Sequence, residues 1–292
     1  MKIAIVGPGA MGILFAAKCS LAGHATTLVD YRNDRVKRLA KSGITLTTNE
    51  GSVTAKPTFT TTLPTNQDLF IVLTKSYSTS SLKLPKETPV LTLQNGLGNI
   101  ETLCKLVGSS NVIAGSTSEA STLLGEGQIH HAASGITTLG SWTSCPTAKV
   151  EEALHKAGFS VETTLSPGKM LWEKTVVNAG INPLTALLNV PNGELLKCKE
   201  IRQLMRDLVV EATKIASTEG YRFDYSLLEK TEEVCANTAS NISSMLQDIR
   251  AKRRTEIESI SGEILRRGEC ASLPAPRTRV IYQLLKGMEQ AP

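Results

Sequence analysis

The chain has 292 residues, of which 41% are hydrophobic, and a formal net charge of +5. This length allows one large or two ordinary domains, and no run approaches the roughly 18 unbroken apolar residues that span a membrane. The charge suits anionic small molecules but is too small to indicate a nucleic-acid partner. Six scattered cysteines without C-x-x-C spacing predict neither disulfides nor a metal site, as expected of a cytoplasmic protein.

The first twelve residues carry a dinucleotide-binding fingerprint. Residues 2–6 are a short apolar, β-branched run that predicts a buried strand, and an apolar helical stretch follows to about Leu21. Between them lies Gly7-Pro8-Gly9-Ala10-Met11-Gly12, a G-x-G-x-x-G motif in the required strand–turn–helix setting. Such glycines permit a tight turn and close approach of a pyrophosphate to the helix N-terminus. All six residues are therefore predicted to contact a dinucleotide.

Strands and helices alternate after this motif. The predicted elements are strands at 26–30, 44–48, 53–56, 69–73, 90–93 and 112–116, a helix at 34–41, and a strand or hairpin at 128–139. Polar residues follow two of the strands, so Lys75 and Asn95 are expected at the carboxyl edge of the sheet, where ligands of such folds bind. For either residue alone, an ordinary turn is an equal alternative.

The second predicted strand ends in an acid. Asp30 lies about 18 residues after Gly12, near the position where a carboxylate binds the ribose 2′-hydroxyl of NAD. Arg32 follows two residues later and is the kind of residue that accommodates the 2′-phosphate of NADP. The two residues favour different cofactors, and the Michaelis constants for NADPH and NADH distinguish them.

Two other polar clusters are interpreted as structural. His130 and His131 are adjacent, but no third metal ligand accompanies them in the sequence. The basic run Lys252-Arg253-Arg254 is typical of a solvated helix face.

The pattern changes to long helical segments at about residue 168. Helices are predicted at 169–187, 200–219, 225–237, 243–267 and 277–288. Helices that follow an alternating region indicate two domains. The predicted fold class is α/β, with a Rossmann-type, mostly parallel sheet domain at residues 1–166 and an all-helical substrate domain at 167–292.

The first of these helices carries an unusual polar face. Lys174, Asn178 and Asn182 are spaced by four residues, so they fall within about 80° of one another around a helix. Asparagine disfavours helices, so two of them aligned with one cation indicate a polar lining for an oxygen-rich ligand. A solvated face is the alternative, but the nearby breaking points Asn182-Pro183 and Pro191-Asn192-Gly193 favour a functional interpretation.

These motifs resemble those of the ketopantoate reductase (2-dehydropantoate 2-reductase) family over nearly the whole chain. The similar segments are the glycine motif, residues 94–96, 174–183 and 191–194, Ser243-Ser244-Met245-x-Gln247-Asp248 and Arg254-Thr255-Glu256-Ile257. The resemblance implies reduction of a small anionic keto acid, 2-dehydropantoate, to (R)-pantoate by NADPH in pantothenate and coenzyme A synthesis. No nucleic acid or membrane partner is expected, and a homodimer is one alternative for the assembly.

The resemblance also implies roles for individual residues. Lys174 corresponds to the catalytic lysine. The substrate contacts that it implies are Asn95, Lys174, Asn178, Asn182, Asn192, Asn241, Ser244 and Glu256. The cofactor contacts that it implies, besides the glycine motif, are Arg32, Lys75, Asn95, Ala120 and Glu256.

The implied positions of Ser244 and Glu256 conflict with one continuous helix. At about 1.5 Å per residue they would be separated by about 18 Å and would lie roughly 120° apart around it. One small keto acid cannot touch both. We therefore expect a bend or break that leaves Ser244 on a loop or first helical turn, or else Glu256 serves the cofactor alone.

Elementary chemistry supports the same role for the lysine. A ketone that accepts hydride develops negative charge on its oxygen, so a donor must be aimed there and must release a proton. Partial burial lowers a lysine pKa and makes this easier. The alternatives are a related reductase of another keto acid and a dinucleotide-sensing protein without catalysis, which would need neither Lys174 nor Glu256.

Overall fold

A computed structural model describes residues 1–290. Contacts divide the chain into two units. The N-terminal unit consists of Met1–Gln94 and Asn99–Met170, and the C-terminal unit consists of Asn95–Gly98 and the chain from Leu171 onward. The fold class agrees with the prediction, since a mostly parallel sheet comes first and helices follow.

The strands of the N-terminal unit begin with the predicted apolar run. In chain order they are β1 (Lys2–Val6), β2 (Ala25–Val29), β3 (Ile44–Thr48), β4 (Gly51–Ala55), β5 (Thr58–Thr60), β6 (Leu69–Val72), β7 (Val90–Thr92), β8 (Val112–Thr117), β9 (Ala120–Gly125), β10 (Gln128–Ala133), β11 (Ile136–Ser141) and β12 (Ser160–Thr163). Every residue of β6 and β7 is buried, as expected of parallel strands covered on both faces.

The larger sheet in the described chain has the order β12-β11-β8-β7-β6-β1-β2-β5. All neighbours are parallel except β8 and β11. The chain runs outward from β1 through β2 on one side and through β6 on the other. This reversal of strand order beside β1 is the place where open α/β sheets bind ligands at their carboxyl ends.

A smaller sheet has the order β4-β3-β10-β9. The prediction of one strand or hairpin at 128–139 is wrong, because β10 belongs to this sheet while β11 belongs to the larger one. The reason is that the chain passes from the smaller sheet to the larger one between β10 and β11, where β11 pairs with the segment that follows β8. There the N–H of Ser118 donates to the carbonyl of Ile136 at 3.0 Å, and the N–H of Ile136 donates to the hydroxyl of Ser118 at 2.9 Å.

Four helices pack on the sheets within the described part of the N-terminal unit. They are α1 (Ala10–Leu21), α2 (Asn33–Ser42), α3 (Asn99–Val107) and α4 (Ala148–Lys156). α1 is buried almost all round, with Ile13, Leu14 and Phe15 in the same core cluster as Ile3 and Ile5 of β1. An apolar helix directly after the glycine motif is therefore a core element that fixes the position of that motif.

The C-terminal unit is built from helices. They are α5 (Pro167–Leu188), α6 (Lys199–Thr218), α7 (Leu227–Asn237), α8 (Ser244–Arg250), α9 (Glu263–Cys270) and α10 (Pro276–Gln290), with a 3₁₀ turn at Asn192–Leu196 and a π-helical turn at Glu258–Gly262. Among residues 1–290, no helix combines the length and the apolar character that a membrane crossing requires.

The segment predicted as helical at 243–267 is broken, which is the first of the two alternatives that the distance argument gave. α8 ends at Arg250, Lys252 adopts a left-handed conformation with φ of 51°, and helical structure resumes only at Glu258. The interpretation of Lys252-Arg253-Arg254 as a helix face is therefore wrong, because these exposed residues form the connecting loop. The buried carboxylate of Asp248 holds this loop by accepting a 3.0 Å hydrogen bond from Arg253 Nε.

Candidate active site

The three glycines of the motif differ in their surroundings: Gly7 and Gly12 are closely packed, whereas Gly9 faces open space. Gly7 has φ of 121°, and a Cβ there would lie 2.5 Å from the backbone nitrogen of Thr74. A Cβ on Gly12 would lie 1.7 Å from the carbonyl oxygen of Gly7. Gly9, in contrast, is exposed and has nothing within 4 Å of its Cβ position. The residues therefore fit a pyrophosphate, which needs open space at this position and helix N–H groups beside it.

Lys75 and Ala120 lie near this turn in the N-terminal unit. Because Gly7 packs against Leu73 and Thr74, Lys75 follows directly after the point of contact. Ala120 begins β9, and the next residue, Ser121, places its hydroxyl 3.2 Å from the sulfur of Met11. Both residues assigned from the resemblance are thus close to the glycine motif.

Gln94 was not assigned a role from the sequence, and it proves to be structural. Its side chain is buried, and its amide donates to the carbonyl of Thr74 and to the hydroxyl of Thr79, both at 2.8 Å. These bonds tie the end of β7 to the end of β6. They fix the carboxyl edge of the sheet that carries Lys75.

The carboxylate of Asp30 faces protein rather than solvent. Its side chain has no exposed surface, and it forms an ion pair with Arg35, whose Nε contacts Oδ2 and whose Nη2 donates to Oδ1 at 2.7 Å. The N–H of Arg32 also donates to Oδ1, at 3.0 Å. The hydrogen bonds to Asp30 raise the pKa of the Arg35 guanidinium. Arg35 is a participant that the sequence reasoning missed.

The side chain of Arg32 lies on the surface. Its guanidinium pairs with Asp34, with Nη2 2.5 Å from Oδ2, and about half of each side chain is exposed. Arg38 also contacts Asp34, at 3.0 Å, and it binds Glu126 through Nε and Nη2. Arg32 is therefore available at the end of β2 through the exchange of one exposed ion pair, a contact that stabilises a protein by only about 0–1 kcal/mol.

One residue of the histidine pair contacts a carboxylate, and the structural interpretation of the pair stays a prediction. Nε2 of His131 contacts the carboxylate of Glu119, whose side chain is buried, while 9% of the His131 side chain is exposed. The same carboxylate accepts a 3.3 Å hydrogen bond from the N–H of Gly135. Across residues 1–290, no three His, Cys, Asp or Glu side chains are grouped to hold a metal ion.

The amine of Lys174 has an altered acidity. Lys174 lies on α5, and burial lowers its pKa from 10.5 to about 8, while the negative charge of Glu256 acts in the opposite direction. The helix face beside it is apolar, with Val176 and Ile181 buried. The polar side is continued by Asn178 and by the buried Asn182.

A hydroxyl pair connects α5 to the start of α8. The hydroxyl of Thr185, one turn after Asn182, donates to the hydroxyl of Ser243 at 2.7 Å. Ser243 in turn accepts the N–H of Leu246 at 3.1 Å and so caps α8. Ser244 is the exposed first residue of that helix, which is the position expected for it. Neither Thr185 nor Ser243 was assigned a site role from the sequence.

Asn192 and Asn241 are joined through their backbones. The N–H of Asn192 donates to the carbonyl of Asn241 at 3.0 Å, and the Asn192 side-chain amide donates to the hydroxyl of Thr238 at 2.8 Å. The side-chain oxygen of Asn192 is buried and has no hydrogen-bond partner within the protein. A buried carboxamide oxygen without a partner is rare, and it is suited to accept a hydrogen bond from a ligand.

Asn95 and Glu256 belong to the same part of the C-terminal unit. The N–H of Leu97 donates to the carbonyl of Ser259 at 2.7 Å, which ties the segment Asn95–Gly98 to the turn that follows Glu256. Glu256 is buried, and its carbonyl accepts the N–H of Ser259 at 3.1 Å. The C-terminal unit thus collects the lysine, the acid and the carboxamides that the sequence singled out. The glycine motif, Lys75, Ala120 and Arg32 belong to the other unit.

Comparison with known proteins identifies the family. The sequence profile described as "Ketopantoate reductase PanE/ApbA" matches residues 3–144, and the one described as "Ketopantoate reductase PanE/ApbA C terminal" matches residues 168–289. The 2-dehydropantoate 2-reductase of Halobacterium salinarum is 32% identical, with 98% of each chain covered. The enzyme of the same name from Pyrococcus horikoshii is 34% identical, with 99% of this chain and 98% of its own covered.

A solved structure has a similar fold over nearly the whole chain. The ternary structure of D-mandelate dehydrogenase with NADH and anilino(oxo)acetate has a TM-score of 0.92 and 27% identity, and it covers 99% of this chain and 98% of its own. Full-length similarity in sequence and fold, together with a glycine motif shaped for a pyrophosphate, leads to one assignment. The chain belongs to the ketopantoate reductase family and is an oxidoreductase that depends on a nicotinamide dinucleotide.

Proposed function

We propose that this protein reduces 2-dehydropantoate to (R)-pantoate with NADPH, a step in the synthesis of pantothenate and hence of coenzyme A. The observation that carries the proposal is the amine of Lys174, whose pKa burial lowers to about 8, on a helix face that it shares with Asn178 and Asn182. Full-length relatives named for this reaction support the choice of substrate.

Lys174 would act as the general acid. A reduced nicotinamide bound to the N-terminal unit would supply hydride for the carbonyl carbon, and the carbonyl oxygen would then gain negative charge. The protonated Nζ of Lys174 would donate a hydrogen bond to that oxygen and then transfer its proton to it. A pKa of about 8 keeps the amine mostly protonated at neutral pH and makes it a stronger acid than an exposed lysine. The charge of Glu256 helps to keep this proton on Nζ.

The side-chain amides of the asparagines and the hydroxyl of Ser244 would orient the substrate. Asn178, Asn182 and Asn95 carry no charge, so their contribution is to hold the keto acid in a reactive position. Asn241 and Ser244 can donate to the substrate carboxylate, and both side chains are exposed. Carboxylate and carboxamide oxygens are acceptors. We therefore assign the substrate hydroxyl to the unpartnered oxygen of Asn192 or to Glu256.

We assign the cofactor as NADPH. Arg32 lies just beyond β2, where an arginine accommodates a 2′-phosphate, and Asp30 beside it is already bound by Arg35. The glycine motif with Pro8, Ala10 and Met11 would hold the pyrophosphate, and Lys75, Asn95, Ala120 and Glu256 would contact other parts of the cofactor. Residues 1–166 are proposed as the dinucleotide-binding domain and 167–292 as the substrate domain. A cytoplasmic location and a homodimer stay predictions from the sequence.

The test is the oxidation of NADPH, followed by absorbance, with and without 2-dehydropantoate. Oxidation should depend on 2-dehydropantoate and proceed with a higher kcat/KM than with aryl-substituted or straight-chain 2-keto acids. Because a structural neighbour is named D-mandelate dehydrogenase, an aryl 2-keto acid belongs in the panel. A higher kcat/KM for that compound would assign the protein to a related reductase activity. No oxidation with any keto acid would remove the catalytic proposal.

A further inference from the structure

The acid at the end of β2 would ordinarily select the other cofactor. In dinucleotide-binding sheets, a carboxylate at this position accepts hydrogen bonds from the adenosine ribose hydroxyls of NAD. The same charge repels the 2′-phosphate of NADP. Asp30 stands at this position, in the residue that follows β2. By this rule alone the protein would favour NADH.

The oxygens of Asp30 are already occupied. Oδ2 contacts Nε of Arg35, while Oδ1 accepts from Nη2 of Arg35 at 2.7 Å and from the N–H of Arg32 at 3.0 Å. The Asp30 side chain is fully buried, and that of Arg35 is 16% exposed. A ribose hydroxyl could reach this carboxylate only by displacing a two-pronged, charge-assisted contact, which is among the strongest pairings in proteins.

The pairing also changes the charge that a ligand meets. The guanidinium of Arg35 cancels the charge of Asp30, and the guanidinium of Arg32 adds a positive charge that is paired with Asp34 at the surface. Arg35 reaches Asp30 because α2 begins at Asn33, which places Arg35 in its first turn and close to the end of β2. The local geometry thus converts an acid that favours NADH into a neutral buried pair.

We infer that Arg35 determines the cofactor preference of this protein by masking Asp30, so that the end of β2 accepts a 2′-phosphate. The inference rests on the proposed NADPH-dependent function. Arg35 acts through Asp30 and is a positioning residue rather than a ligand of the phosphate.

The experiment measures dissociation constants of NADP⁺ and NAD⁺ by calorimetry, without any keto acid. Arg35→Met keeps an unbranched apolar stem and removes the guanidinium, so Asp30 becomes free to repel the phosphate and to accept ribose hydroxyls. The ratio of the NAD⁺ to the NADP⁺ dissociation constant should fall by about tenfold, which corresponds to about 1.4 kcal/mol. In the double variant Arg35→Met/Asp30→Asn, the ratio should recover toward that of the wild type.

A matched control is Arg38→Met. Arg38 lies on the same helix but contacts Asp34 and Glu126, with about half of its side chain exposed. Its substitution should leave the ratio within about twofold, because exposed ion pairs contribute little. Equal weakening of both cofactors in Arg35→Met would mark Arg35 as merely structural and overturn the inference. A double variant that fails to recover would show that Arg35 itself binds the phosphate, which also overturns it.

A further variant covers the case in which Arg35→Met does not fold, since an unpaired buried charge is costly. Asp30→Asn keeps Arg35 in place. If Asp30 is masked in the wild type, ribose hydroxyls do not reach its carboxylate, so the dissociation constant of NAD⁺ should change by less than about twofold. A tenfold rise of that constant would show that Asp30 binds the ribose in the wild type and would refute masking. These outcomes concern dinucleotide binding alone, so they are independent of whether 2-dehydropantoate is the substrate.

Discussion

The acidity of Lys174 is the property on which the proposed chemistry depends. An exposed lysine holds its proton too tightly to be an effective acid near neutral pH, whereas burial lowers the pKa of Lys174 to about 8. Glu256 partly offsets the effect of burial and keeps the amine charged. The sequence was enough to predict that Lys174, Asn178 and Asn182 share one face of a helix. The pKa could not, because it depends on residues brought in from elsewhere in the C-terminal unit.

The first prediction concerns pH. The reaction needs protonated Lys174, so kcat/KM for ketone reduction should be constant below a pH of about 8 and should fall above it. Glu256→Gln removes the charge that raises the pKa of Lys174, so the break should move to lower pH. Initial rates at low substrate concentration across the pH range give kcat/KM for the wild type and for Glu256→Gln. A break near 10.5, the value of an ordinary lysine, would contradict the assigned role.

A second prediction separates two glycines of the motif. Gly9 has ordinary φ of −77° and open space at its Cβ position, so Gly9→Ala should change the free energy of unfolding by less than about 0.5 kcal/mol. Because the added methyl occupies the pyrophosphate approach, the dissociation constant of NADP⁺ should rise by about tenfold or more. Calorimetry and urea denaturation measure the two quantities.

The matched variant is Gly12→Ala. Its Cβ would lie 1.7 Å from the carbonyl oxygen of Gly7, so the backbone must move and unfolding should become easier by about 1–3 kcal/mol. If Gly9→Ala instead destabilised the fold as much as Gly12→Ala did, the open cradle at Gly9 would be wrong.

At the scale of elements, the sequence predicts best where apolar periodicity is strong. α1, α5 and α6 were placed within a few residues, because their buried faces are continuous. The course of β10 and β11 could not be predicted, since it depends on bonds between Ser118 and Ile136, which are 18 residues apart. The pairing of Asp30 with Arg35 was missed for a similar reason. In the sequence, Arg32, Arg35 and Arg38 are equivalent candidates. Only the geometry of the turn between β2 and α2 places Arg35 against Asp30.

The broken segment after α8 is held on both sides of Glu256. The hydroxyl of Thr255 donates to the carboxylate of Glu289 at 2.7 Å and accepts the N–H of Ile257 at 3.2 Å. On the other side, Glu258 pairs with Lys286 at 3.0 Å. Both anchors are on α10, so this helix fixes the short stretch that carries Glu256.

A third prediction tests these anchors. Thr255→Val keeps the shape of the side chain but removes both hydrogen bonds of its hydroxyl, which should lower the free energy of unfolding by about 1–3 kcal/mol. Because the placement of Glu256 becomes less precise, the KM of the keto acid should also rise. Thr213→Val is the control, as Thr213 donates only to the carbonyl of Val209 within α6. An unchanged KM in Thr255→Val would separate the anchors from substrate binding.

At the scale of the whole molecule, the two units are interleaved along the sequence. The chain contributes Asn95–Gly98 to the C-terminal unit and then returns to the N-terminal unit at Asn99. The conformation of this four-residue segment depends on Gly96. Gly96 has φ of 82°, and its Cβ position is 2.3 Å from the carbonyl oxygen of Ser259. Sequence patterns could not predict it, because four residues have no periodicity.

The fourth prediction compares two glycines of similar conformation. Gly96→Ala combines the strain of a left-handed alanine with a backbone clash, so it should lower the free energy of unfolding by about 2–4 kcal/mol. Gly108→Ala has similar strain, with φ of 86°, but its nearest atom is 3.8 Å away, and it should cost only about 1–2 kcal/mol. Urea denaturation measures both. Equal losses would show that Gly96 is not closely packed against Ser259.

The reductase account depends most on the primary amine of Lys174, and the most direct measurement is the turnover of 2-dehydropantoate by Lys174→Ala. Turnover should fall by about 10²–10⁴, the usual contribution of a general acid, while NADPH should bind within about twofold of the wild type. Lys214→Ala, at an exposed position on α6, is the control and should retain both properties. Wild-type turnover in Lys174→Ala would contradict the account.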